Sequence, residues 1–347
     1  MRYFDDVLKA CGTEFWINNP SLDELRMALD AGAVGVASNP TYIATLLKVE
    51  PEFVHRTIDE LVADSDTDAD EEIAARLFRK AVSRPLSLCE PLFRESQGRF
   101  GYAAIQGNPR RNDDPDFLLR EAEGFRDLGD NIIIKMPSTV AGAQVLEELT
   151  ARGWSTIGTM CFSVSQYIYM AEAHRRGLAR TDKNPRCLIT MLPGMFSEYL
   201  AEDAARRGIE VADDALFEAG IATARVAYRI HRERGYDAIV LSGGSRSMTH
   251  WTELLGPNFG ITLSGKLTAD LIDAHPEIVP RLEAESPQNV VTEMRDTFPD
   301  FLKACDVGAM EPEEFRPYGP VVRFQNALSS GFECVIEEIA SRRKQRV

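Results

Sequence analysis

NIIIKMPSTVAGAQVLEELTARG, residues 131–153, holds one complete structural unit. Its opening NIIIKM (131–136) is a short β-branched run of the kind that forms a buried strand. VAGAQVLEELTARG (140–153) is a helix-length amphipathic stretch that closes on glycine, as helix C-termini often do. The same pair recurs outward in both directions. Strand candidates stand at EFWIN (14–18), AVGVA (33–37), GYAAIQ (101–106), STIGTM (155–160), CLITML (187–192), DAIVLS (237–242) and GITLS (260–264), with helical stretches such as SLDELRMALDAG (21–32) and VSQYIYMAEAHRRG (164–177) between them. Strand and helix alternating eight times predict parallel strands joined by crossover helices. Eight units suit a closed (β/α)8 TIM barrel better than an open doubly wound sheet. A Rossmann fold would place G-x-G-x-x-G after an early strand, and no such pattern follows EFWIN or AVGVA.

Two regions exceed the repeat: a helical insertion after the second strand, residues 43–100, and a C-terminal helical appendix, residues 275–347. No Ser/Gly linker or low-complexity tract separates them, so the 347 residues read as one domain. With 44% apolar and 27% charged residues the chain can bury a large core. The formal charge of −15 disfavours phosphate backbones and anionic lipid, hence nucleic-acid and membrane partners. The six cysteines form no C-x-x-C pair and the N-terminus is wrong for a signal peptide, which points to reduced thiols in the cytoplasm.

In a barrel of this kind the reacting groups lie at the C-terminal ends of the strands. The polar residues that interrupt the apolar runs there are Asn18, Asn39, Gln106, Lys135, Thr159, Thr190, Ser242 with Arg246, and Lys266. Lys135 is the most informative. It follows three isoleucines in a strand expected to be buried on both faces, and burial lowers the pKa of an amine and frees the neutral nucleophile for imine formation with a carbonyl. The alternative is a structural lysine paired with a carboxylate or snorkelling to solvent.

GVASNPTYI, then NIIIKMPST, then STIGTMCFSVSQYIYMAEA, with EEFRPYGPVVRFQNALSSGFECVIEEI near the C-terminus, together resemble the transaldolase family of Schiff-base aldolases, which includes the fructose-6-phosphate aldolases. The resemblance implies that Lys135 forms the Schiff base, that Asn39 bonds substrate hydroxyls, and that Gln106 and Thr159 hold a catalytic water. It also marks departures. Asn18 stands where the family carries an acid/base aspartate, and an amide cannot exchange that proton at neutral pH. Thr190, Leu192 and Met195 stand where a serine, an aromatic and a phosphate-binding arginine are expected. The strand-seven arginine survives as Arg246, and Ser245, Arg246 and Lys266 are expected to form a rearranged anion site.

The reading is therefore a metal-free, cofactor-free enzyme in which Lys135 forms a Schiff base with a ketose or ketose phosphate, for aldol cleavage or transfer of a dihydroxyacetone-type unit. His250 is a candidate replacement acid/base. Two rivals stand beside this reading: a non-catalytic sugar-binding descendant, and an imine-forming lyase or isomerase. The C-terminal helices could supply a homo-oligomer interface.

Overall fold

A computed structural model describes residues 2–64 and 69–345. Eight parallel strands close into a barrel in sequence order, β1 pairing with both β2 and β8. They are β1 Thr13–Asn18, β2 Gly35–Ala37, β3 Tyr102–Gln106, β4 Ile132–Pro137, β5 Thr156–Cys161, β6 Cys187–Met191, β7 Ile239–Ser242 and β8 Phe259–Leu263. Each falls on a run singled out in the sequence. β2 is shorter than AVGVA because Ala33 and Val34 still lead out of the left-handed Gly32 that ends the preceding helix.

Helix starts are set by hydroxyl caps just beyond the strands. Ser21 forms a capping box with Glu24 for Leu22–Ala31, Thr139 accepts from the Gly142 N–H to start Val140–Ala151, and Ser163 accepts from Gln166 to start Val164–Leu178. Strand ends and helix N-termini therefore share one rim.

Side chains alternate between the barrel interior and the helical layer, with one irregularity in β5 where Met160 has φ 69 and the register to β6 shifts. Trp16, Val34, Tyr102, Ala104, Ile133, Ile157, Leu188 and Leu241 fill the interior as one apolar cluster. Trp16 is its largest member, and Gly35 sits opposite in register because a Cβ there would lie 2.5 Å from the indole. Below this layer the barrel floor is closed by an ion pair between Glu14 and Arg186, with the Trp16 Nε1 donating to Glu14 Oε2 at 3.1 Å.

The insertion forms three helices, Tyr42–Val49, Pro51–Ala63 and Asp70–Glu95, and the appendix ends in a long helix, Gly319–Gln345. These two regions meet: Arg342 pairs with Asp59, Arg343 with Asp70 (2.8 Å), and Glu338 with His55 (3.2 Å). The apolar side of the last helix, Leu328, Val335 and Ile339, is fully or nearly fully buried. One helix was not anticipated, Tyr3–Cys11, whose Tyr3, Phe4 and Val7 pack under β1, Phe4 stacking on Phe15 at 4.1 Å.

Candidate active site

Alternation carries the interior face upward from the apolar layer to its last turn-in residues at the C-terminal rim. Trp16 leads to Asn18, Ala104 to Gln106, Ile133 to Lys135, Ile157 to Thr159 and Leu188 to Thr190. Gln106 and Lys135 are direct register partners across β3 and β4. Five of the residues expected at the site therefore lie on the interior face near the C-terminal rim, Lys135 level with Ile157 and Thr159 two residues further up β5.

Lys135 is 7% exposed, and its Nζ donates to the Ser38 carbonyl oxygen at 3.1 Å. No carboxylate among the described residues pairs with it, so burial acts unopposed and pushes the ammonium down to about 8. The structural alternative of a carboxylate-locked or outward-pointing lysine does not hold. Ser38 is fixed in turn by its hydroxyl, which donates to the Ala104 carbonyl. Beside Lys135, Gln106 keeps a buried Nε2 with no partner among the described residues, a donor left free for a ligand or water. Thr159 is buried at the end of β5, and Thr190 has a buried Oγ1 that is likewise unpartnered.

Asn18 is half-buried at the end of β1, and the next residue turns the chain: Asn19 has φ 46, a left-handed conformation that asparagine tolerates. The Asn19 amide donates to Asn39 Oδ1 and Thr41 Oγ1, both at 3.2 Å, and its own Oδ1 accepts the Asn39 N–H at 3.1 Å. Asn39 Oδ1 also takes the Thr41 N–H and hydroxyl. Asn39 is thus a brace of the β2 loop, and only its amide nitrogen is left for a substrate hydroxyl.

Three expectations at the far rim need correction. Ser242 shares the face of Val240, which packs into the helical layer, so it points away from the interior that Leu241 enters. Lys266 does not join Arg246: its side chain is 82% exposed on the Gly265–Ala274 helix and bonds Asp270 at 2.6 Å, one turn along. Arg246 is held instead by Glu198, Nε to Oε1 at 2.5 Å and Nη2 to Oε2 at 3.2 Å. Ser245 remains buried with an unpartnered hydroxyl. Met195, in place of the expected arginine, lies against Gly244, where a Cβ would be 2.7 Å from its Cγ.

His250 is also placed differently from a mouth-facing acid/base. Burial, with Arg246 nearby, drives its pKa down to about 4, its Nδ1 meets the Ser247 hydroxyl at 3.2 Å, and its ring packs edge-on to Phe217. A neutral packing residue is what remains. Sequence reasoning missed Glu121 altogether. On the Pro115–Arg126 helix it accepts the Asn108 N–H, and burial raises its carboxyl to about 7 against that bond. It lines a pocket of about 750 Å³ with Gln106, Phe78, Phe117 and Phe125. Nothing in REAEGF marks it, since acids on helices are ordinarily solvated.

A family model described as Transaldolase/Fructose-6-phosphate aldolase matches residues 15–305. A protein named Transaldolase from Thiobacillus denitrificans is 26% identical over 93% of this chain and 94% of its own length. One of the same name from Saccharopolyspora erythraea is 27% identical over 74% of each chain, and one from Acidothermus cellulolyticus 27% identical over 65% of this chain and 64% of that protein.

Proposed function

We propose that this chain, which belongs to the transaldolase/fructose-6-phosphate aldolase family, works through an imine formed by Lys135. It is an enzyme of the transaldolase/aldolase type in carbohydrate metabolism. The observation that carries the mechanism is the buried Lys135 amine, free of any carboxylate and held near pKa 8, beside the unpartnered Gln106 amide.

The neutral Nζ adds to a ketose carbonyl, and the carbinolamine loses water to give an iminium. That cation accepts the electron pair released when the carbon–carbon bond beyond the neighbouring carbinol carbon breaks and the hydroxyl proton leaves. An aldehyde departs, and the enamine left on Lys135 either takes a proton and is hydrolysed or adds to an acceptor aldehyde. Gln106 and Thr159 are the groups placed to hold the water that moves these protons, with Thr190 and the Asn39 amide nitrogen positioning hydroxyls. Asn18 offers hydrogen bonds and no proton. This favours one alternative enough to keep it: an imine-forming isomerase or lyase that does not need an acid at β1. A cytoplasmic location belongs to this reading too, as does the lack of a nucleic-acid partner, which the charge of −15 supports.

Reductive trapping tests it. The protein is incubated with ketoses, phosphorylated and not, reduced with borohydride, and digested. A mass adduct on the peptide holding Lys135, lost in Lys135→Met, is expected. Adduct without cleavage products would favour the isomerase; no adduct from any ketose would leave a sugar-binding protein.

A further inference from the structure

We infer that Glu121 is a positioning residue for the reaction: its ionised carboxylate fixes the peptide that follows Gln106, and through it the Gln106 amide beside Lys135. The inference rests on the Schiff-base reading for the role of Gln106 and on the contacts of Glu121 for the rest.

Gln106 is the last residue of β3, and the two residues after it are shaped around Glu121. Both carboxylate oxygens accept the Asn108 N–H, at 3.1 and 3.2 Å. A Cβ on Gly107 would lie 1.5 Å from Oε2 and 2.2 Å from Cδ, so the acid rests on the Gly107 backbone and only glycine leaves room for it. Beyond this point the chain is secured separately. The Asn108 amide donates to Glu71 Oε2 at 3.3 Å, and its Oδ1 accepts the Arg110 N–H at 3.0 Å to start the Pro109–Arg111 turn. On the other side, Gln106 pairs in register with Lys135. Glu121 thus determines how the chain leaves β3. Gln106 Nε2 is buried with no partner among the described residues, so the amide takes its position from the backbone that carries it.

The carboxylate stands among apolar rings, Phe78, Phe117 and Phe125, and burial raises it to about 7 against the Asn108 bond, which favours the charged form. The charged groups around it are Glu71 and Glu72 of the Asp70–Glu95 helix, Arg120 of its own helix and Arg110 of the turn after β3. Arg110 is taken by Glu71 at 2.5 Å and by Glu333 of the last helix, and Arg79 of the Asp70–Glu95 helix bonds the Gly124 carbonyl. Among the described residues no ion pair joins any of these to Glu121. A charge-assisted hydrogen bond is roughly twice as strong as a neutral one, so protonation of Glu121 loosens its hold on Asn108 without breaking it.

A pH series on the native protein and Glu121→Gln tests this. Whichever of fructose 6-phosphate and dihydroxyacetone labels Lys135 is mixed with excess protein and quenched at intervals into borohydride, and the rate of adduct formation is read. Both proteins slow as Lys135 gains its proton, so the ratio of their rates isolates Glu121. Native over variant is expected to be roughly fivefold at about pH 8, the gap between an ionised and a neutral acceptor, and to close to about one at about pH 5.5. The midpoint is expected near 7. A ratio that stays the same across the series, at one or at any other value, overturns the inference, since a general loss of packing does not titrate. The second measurement needs no imine. In amide NMR spectra the Asn108 N–H and the Gln106 side-chain amide are expected to shift together with a midpoint near 7 in the native protein, and to stay fixed in Glu121→Gln. A native Gln106 signal that ignores this titration overturns the inference, whether or not the variant folds. Labelling by neither sugar, with the joint shift present, brings down the Schiff-base reading and leaves the coupling of Glu121 to Gln106 standing.

Discussion

The energetics of Lys135 make its role a matter of measurable trade-off. With a pKa of about 8, roughly a tenth of the amines are neutral at pH 7, against about one in three thousand for a solvated lysine. Adduct formation should therefore climb with pH and level off above about 8. The cost falls on stability. Between pH 8 and the ordinary lysine value the unfolded chain holds a proton that the folded one has lost, so this group makes the protein more stable as pH rises through that window and carries its full penalty below it. Lys135→Met is expected to abolish labelling and to raise unfolding stability by up to about 3 kcal/mol at pH 7, with a smaller gain at pH 9.5; denaturant midpoints at the two pH values check both the sign and the trend. Asn18→Asp is expected to speed carbon–carbon cleavage by roughly a hundredfold, the low end of what a positioned acid/base contributes. An unchanged single-turnover rate would mean that proton transfer at β1 is not what limits the reaction.

Among the elements, β1 and β2 show how the barrel interior dictates composition. Trp16 occupies space that its neighbours must vacate, and Gly35 is vacant for that reason: the indole lies where a methyl would stand. Gly35→Ala is predicted to cost about 1–3 kcal/mol through overpacking. Trp16→Leu in the same chain should recover part of that loss, and a double-mutant cycle by denaturant unfolding reads the coupling directly. Were the two changes additive, the contact would not be the reason for the glycine.

At the scale of the molecule, the last helix ties the insertion to the barrel and also carries Arg323 to Glu198 and Glu202 on the helix Pro193–Arg207 that follows β6. Its ion pairs to Asp59 and Asp70 are partly exposed and contribute little each. Packing does more: Ile339 is fully buried, and Ile339→Ala is expected to cost about 2–5 kcal/mol, whereas Arg342→Ala should cost less than about 1 kcal/mol. Thermal or urea unfolding of the two variants separates these contributions, and equal losses would overturn this ranking.

Much of this was legible in the linear chain because the signals are local. A β-branched run is a strand candidate wherever it occurs, a serine or threonine before an amphipathic stretch starts a helix, and eight such pairs admit few architectures. An ionisable residue inside NIIIKM announces its own cost, so Lys135 could be found without coordinates. The orientation of each strand was not legible, since strands of a parallel barrel are buried on both faces and carry no polar stripe to mark one of them. Ser242 and Leu241 look interchangeable until closure assigns one to the helices and the other to the interior. Charge pairing was hidden for a related reason. Glu198 stands 48 residues from Arg246 and 125 from Arg323, and only folding brings them within hydrogen-bond reach. A cation in a sequence is a free charge; which acid neutralises it is settled by distance in space.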